Sequence, residues 1–106
     1  MSLALVQYSR RAEDDLLDIG WYTLESWGAE QVDRYLSEIE TCCQRLAENP
    51  LTGRSCNEIR RGLRKMSHGK HIVYYRPNTE GIRVSRILHQ SMLPERHGMQ
   101  DEDLHS

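Results

Sequence analysis

The stretch Lys70-His-Ile-Val-Tyr-Tyr-Arg-Pro-Asn-Thr-Glu-Gly-Ile-Arg-Val-Ser-Arg-Ile-Leu-His89 decides how this chain folds. It holds two runs rich in β-branched and aromatic residues, Lys70–Arg76 and Gly81–Leu88. Pro77-Asn78-Thr79-Glu80 between them has the composition of a tight turn. Joints this short pair successive strands antiparallel, since a parallel crossover needs a dozen residues or more. A third strand-like run, Ile59–Met66, precedes them across Ser67-His68-Gly69. Together they predict a three-stranded antiparallel meander.

Upstream the period changes. Leu3–Tyr8 is a short apolar run that suits a strand. Ser9 then stands where a helix N-cap belongs, and Glu13, Asp14 and Asp15 suit the positive end of the helix dipole. Ala12, Leu16, Ile19, Thr23 and Trp27 follow at helical spacing until Gly28 interrupts. Val32, Tyr35, Leu36, Ile39, Cys42 or Cys43, and Leu46 form a second amphipathic stripe. Proline disfavours the helical region in the residue before it, so Asn49-Pro50 stops that helix. A break as short as Gly28 makes the two helices an antiparallel hairpin. Leu51–Asn57 reads as a loop. The fold class is α+β in the order β-α-α-β-β-β, a single domain over 1–106. Its ordered core is expected at about 3–97, with a short helix around Pro94–His97 and a flexible acidic tail at 98–106.

A chain of 106 residues supports one modest core, and 38% hydrophobic residues keep it lean. No segment approaches the ~18 apolar residues of a membrane span. The only early basic pair, Arg10-Arg11, follows the first apolar run, the reverse of a secretory signal, so a cytoplasmic location is expected. Cys42, Cys43 and Cys56 are odd in number and two are adjacent, which argues against a disulfide framework. No metal-ligand spacing occurs either, and neither metal nor cofactor is expected. One of the adjacent pair should face the core, because free cysteine behaves as a small hydrophobe.

The net charge of −2 conceals a segregation. Residues 1–58 carry five arginines and eleven acidic residues, whereas 59–106 carry nine Lys/Arg and five acids, three of them in the last six positions. Such polarity speaks of partners more than of fold. Strand alternation puts Ile82, Val84 and Arg86 on one face and Arg83, Ser85 and Ile87 on the other. With one face covering the helices, the other is an open basic surface for something acidic. On the first helix, Ile19, Thr23 and Trp27 lie on the core stripe while Trp21 and Leu24 lie off it. An off-stripe tryptophan suggests a hydrophobic docking groove.

Several signatures line up over roughly residues 3–97: Tyr8-Ser9 with Ala12…Asp15-Leu16, Ile19…Tyr22 before Trp27-Gly28, and Leu46-Ala-Glu-Asn-Pro50 with Gly53-Arg54. Ile72-Val-Tyr-Tyr-Arg76 and Val84-Ser-Arg-Ile-Leu-His89 complete the series. Their order resembles the ParE toxins of the RelE/ParE superfamily of type II toxin–antitoxin pairs. The resemblance implies a toxin neutralised by a ParD-like antitoxin in a hetero-oligomer and inhibiting DNA gyrase by direct binding. No catalytic residue and no direct nucleic-acid contact are then expected. The implied target-binding residues are Arg83, Arg86, His89 and Met92, with Arg64. The candidate antitoxin contacts are Trp21, Leu24, Trp27, Tyr35, Arg61 and Tyr75. Leu93 stands where the family often has an acidic residue.

The RelE branch of the superfamily instead cleaves messenger RNA on the ribosome. That chemistry needs a base, an acid and cations for the phosphorane-like charge. Arg60, Arg61, Arg64, Lys65, Arg83 and Arg86 could supply cations, and His68, His71, His89 and His97 protons. A tyrosine beyond Tyr75 is missing. The binding reading therefore leads, with the nuclease or an inactive toxin kept as an antitoxin-binding module as alternatives.

Overall fold

The computed structural model describes residues 3–92 and Pro94. Strand β1 (Leu5–Tyr8) leads into helices α1 (Arg10–Trp27) and α2 (Ala29–Glu48), then a short 3-10 turn at Pro50–Thr52. Strands β2 (Arg54–Ser55), β3 (Arg64–His68), β4 (His71–Pro77) and β5 (Gly81–His89) follow.

Local chemistry sets the boundaries. Ser9 is extended, and its Oγ accepts from the Ala12 N–H at 3.0 Å while donating to the Ser85 carbonyl at 2.7 Å. The cap therefore also ties α1 to the sheet. Gly28, at φ 90°, donates its N–H to Leu24 O and accepts from Val32 N, closing one helix and opening the next. That positive φ is what glycine provides. At the other end of α2, Asn49 leaves the helical region ahead of Pro50, at φ −139° and ψ 73°, as the sequence requires. Asn78 Oδ1 accepts from the N–H groups of Glu80 and Gly81, the side-chain-closed turn expected between β4 and β5.

The sheet order is β1-β5-β4-β3-β2. The meander β3-β4-β5 is antiparallel as expected, but β1 joins the outer side of β5 in parallel, so the sheet is mixed. All of α1 to β4 lies between these two parallel strands, more than the crossover such a pair needs. Two boundaries also differ from the sequence reading. The third strand-like run begins at Arg64, because 57–62 forms turns around Gly62 at φ 83°. Arg54 and Ser55, expected in a loop, pair with Lys65 and Arg64.

Ala12, Ile19, Ile39, Cys43, Leu46 and Ala47 from the hairpin meet Val73, Tyr75, Ile82, Val84 and Ile87 from the sheet. Each fully buried aliphatic side chain among them contributes about 1.5–3 kcal/mol of burial. Cys43 is the cysteine that faces this core, and Cys42 lies at its edge. On the opposite sheet face, the segment after β2 lays Cys56, Ile59 and Leu63 over Tyr74, Leu88 and Ile72.

Both faces of β5 are therefore partly covered, and a bulge makes this possible. Tyr75 opposes Val84 while Tyr74 opposes Arg86, which leaves Ser85 as the extra residue. Simple alternation fails there, and Ile87 returns to the hairpin side with Ile82 and Val84. Trp27, expected on the core stripe, is 73% exposed at the last position of α1, outside the core cluster. The expected helix at 94–97, His97, Leu93 and the acidic tail lie outside the described residues, Pro94 apart.

Candidate functional site

Where β1 ends opposite Val84, the outer edge of β5 would be left without a partner. Asp15, one and a half turns into α1, fills that gap. Its carboxylate accepts from Ile87 N at 2.9 Å and from Arg86 at 2.8 Å (Nε) and 2.9 Å (Nη2). The bidentate pair is nearly buried, at 11% and 10% side-chain exposure.

This pair forms one wall of a cleft of about 450 Å³ between the first half of α1 and the end of β5, with Tyr22, His71, His89 and Met92 on its lining. His71 and His89 oppose one another across β4 and β5, ring centroids 5.5 Å apart and edge to face. The Tyr35 hydroxyl approaches to 2.6 Å from His71 Nδ1. Burial, then the charges of His89 and His68, hold His71 below the ordinary histidine value despite an opposing pull from Asp15. Desolvation raises the Tyr35 phenol. His89 Nδ1 accepts from Ser91 N at 3.1 Å and lies 2.8 Å from Ser91 Oγ, so the end of β5 is folded back on its own histidine. His68, read from sequence as part of the Ser67-His68-Gly69 joint, closes β3 and reaches Glu38 on α2 at 3.2 Å.

Of the five expected target-binding residues, Arg86, His89 and Met92 share this cleft. Arg83 does not; it opposes Arg76 and Gln7 farther along the sheet. Arg64 donates to the carbonyls of Leu51 and Gly53, bracing the turn before β2.

A second surface lies on the hairpin. Leu17, Trp21 and Leu24 are 64%, 65% and 42% exposed, and Trp27 continues the ridge. At spacings of four and three they form one stripe of α1. Beside the stripe, a groove of about 390 Å³ runs between α1 and α2, floored by Gly20, Val32 and Leu36. Trp21 and Leu24 are off the core stripe, as read from sequence, and Leu17 one turn earlier belongs with them. The i−4 spacing from Trp21 could have found it.

The other expected antitoxin contacts do not join this ridge. Tyr75 is fully buried; its hydroxyl donates to Pro50 O at 2.6 Å and accepts from Gly53 N at 2.9 Å, a structural clamp that corrects the surface assignment. Tyr35 is committed to the histidines, and Arg61 is exposed on the segment covering the far sheet face.

A five-stranded mixed sheet carrying a helical hairpin with an exposed apolar ridge, and a small cleft beside it, defines the α+β class of this chain. Residues 6–94 match the family described as ParE toxin of type II toxin-antitoxin system, parDE. The chain is 45% identical over 85 residues to Toxin ParE1 of Mycobacterium tuberculosis, covering 79% of this chain and 87% of that protein. It is 38% identical over 89 residues to Toxin ParE1 of Caulobacter vibrioides, covering 84% and 92%. A solved structure titled as the chromosomal ParDE TA system from P. aeruginosa has the same fold, at TM-score 0.69 and 18% identity, covering 82% of this chain and 96% of that one. The chain belongs to the ParE toxin family of type II toxin–antitoxin systems.

Proposed function

We propose that this toxin is held inactive by a ParD-like antitoxin whose amphipathic helix lies along the α1 ridge, and that the free toxin inhibits DNA gyrase by direct contact through the Arg86–His89–Met92 cleft. The exposed stripe Leu17, Trp21, Leu24 and Trp27 carries the first half of this reading. A run of large apolar side chains on a lean domain is costly unless a partner covers it, and helix-in-groove docking uses this spacing.

The second half rests on family membership and on the state of the cleft. The Arg86 charge is already neutralised by Asp15, and His71 Nδ1 and His89 Nδ1 already hold partners. Groups so engaged suit a rigid contact surface better than proton transfer to RNA. Purified toxin added to gyrase and plasmid should stop supercoiling and accumulate cleaved DNA; unaffected supercoiling at saturating toxin refutes the gyrase target. Replacing Trp21 and Leu24 by Ser should abolish co-purification with a co-expressed ParD-like antitoxin, with the melting temperature retained.

The facing His71 and His89 rings support a second reading, a RelE-like messenger RNA endonuclease. Toeprinting of a translated message decides it, since codon-linked cuts would replace the gyrase reading.

A further inference from the structure

We propose that the sheet face turned away from the helical hairpin binds the sugar–phosphate backbone of duplex DNA directly. Cross-strand register builds this face. Arg54 of β2 opposes Lys65 of β3, which opposes Tyr74 of β4. Two residues along β4, on the same side as Tyr74, Arg76 opposes Arg83 of β5, which opposes Gln7 of β1. The covering segment adds Arg60 and Arg61, and its Gly62 comes against the Arg76 guanidinium, so segment and strands form one continuous basic surface. Residues 54–92 hold nine Lys/Arg and only two acids, Glu58 and Glu80. Two of those cations, Arg86 and Arg64, are engaged elsewhere, by Asp15 and by backbone carbonyls. Arg54, Arg61, Lys65 and Arg83 have no acidic partner among the described residues, and the Arg83 Nε is buried without an acceptor.

The chemistry of the face selects the occupant. Protein interfaces centre on exposed aromatic and aliphatic anchors. Here the apolar side chains Cys56, Leu63, Tyr74 and Leu88 are already packed against one another beneath the arginines. Apart from Leu5 at the β1 edge, the half-buried Ile59 and Ile72, and Glu58, the face presents chiefly guanidinium and ammonium, the groups that grip phosphate. A chain of pI about 6.2 that nevertheless gathers six cations on one face has concentrated them for a polyanion. The proposal goes beyond the gyrase reading, although a toxin that touched the DNA held by its target would gain affinity from both contacts.

The test is fluorescence anisotropy with purified full-length toxin and a labelled 30-base-pair duplex of arbitrary sequence. Binding should weaken with NaCl at a slope of about −0.9 per phosphate contacted, near −4 for four contacts. Arg54→Gln, Arg61→Gln, Lys65→Gln and Arg83→Gln should each reduce that slope by about one, and the fourfold variant should lose binding at least a hundredfold with an unchanged melting temperature. Should the fourfold variant unfold, the single slopes carry the result. Absence of binding at 50 mM NaCl, or slopes indifferent to the substitutions, overturns the proposal. A polyglutamate peptide displacing the duplex as well as unlabelled duplex does reassigns the face to an acidic protein segment. A single-stranded RNA that binds ten times tighter reassigns it to RNA. Supercoiling inhibition without duplex binding would sink this proposal and leave the gyrase reading standing, and the converse result would do the opposite.

Discussion

Asp15 does three things with one carboxylate: it caps the free edge of β5, neutralises Arg86 and anchors α1. Removing one partner of a nearly buried pair strands the other charge, at a cost of about 3–5 kcal/mol. Asp15→Ala should therefore lower stability by about that much in urea unfolding, and Asp15→Ala with Arg86→Met should recover part of it. If the double variant is no more stable than the single, the stranded charge is not the cause. His71 sets a second residue-level expectation, in pH. Around it stand Tyr35 from α2, Asp15 from α1, and His68 and His89 on its own sheet. Its folded-state value lies below the ordinary 6.5, so the folded protein binds fewer protons than the unfolded chain in the window between the two. Stability is full above about 6.5, falls as pH drops through that window, and levels off beneath it. Melting temperatures from pH 8 to 5 should show that fall, and His71→Asn should flatten it; a parallel fall in the variant would assign the effect to other groups.

At the scale of elements, the weak joint is the parallel pairing of β1 with β5. It begins where Gly81 opposes Leu5, so closely that a methyl at 81 would collide with the Leu5 carbonyl oxygen and lie 2.8 Å from its nitrogen. Backbone atoms cannot turn aside as a side chain can. Gly81→Ala should cost about 3 kcal/mol, and hydrogen exchange should show the Leu5 and Ser9 amides, which donate to Glu80 O and Val84 O, losing protection before those of β4. The same pair marks the boundary of what the sequence reveals. Helices α1 and α2, the break at Gly28, the stop before Pro50 and the β4–β5 turn are legible because each is written in local residues: Ser9, Gly28, Asn49-Pro50, Asn78. The seat of β1 is not, since nothing within Leu5–Tyr8 names its partner 76 residues away. The bulge at Ser85 is equally silent, and it is what moves Ile87 to the hairpin side. Tyr75 and Trp27 exchange expectations for a related reason. Composition alone cannot distinguish an aromatic clamped by Pro50 and Gly53 from one left standing on a ridge. The cleft was legible only in part: His89 and Met92 are near in sequence, but Asp15 reaches Arg86 across 71 positions.

Taken whole, the molecule is a thin slab of 38 × 37 × 21 Å with its chemistry divided between its broad sides. The hairpin side presents the apolar ridge of an acidic half; the far side presents Arg54, Arg61, Lys65 and Arg83 of a basic half. The core formed by Ile39, Leu46, Val73 and Val84 lies between them, with the nearly buried Asp15–Arg86 pair at its edge joining α1 to β5. Two consequences follow for a toxin covered on one side. An antitoxin helix on the ridge leaves the basic face open, so neutralisation by this contact must act through the cleft edge or through further antitoxin chain. Substitutions on the two sides should also be energetically independent, because sites without shared partners add within about 0.3–0.5 kcal/mol. Calorimetric titration of antitoxin into toxin measures this directly. Trp21→Ser with Leu24→Ser should weaken binding by at least a hundredfold, while Arg61→Gln with Lys65→Gln should change it less than threefold. The fourfold combination should match the ridge variant within that same margin. A coupling larger than about 1 kcal/mol would mean that the antitoxin reaches round the slab onto the basic face, and the two surfaces would have to be treated as one.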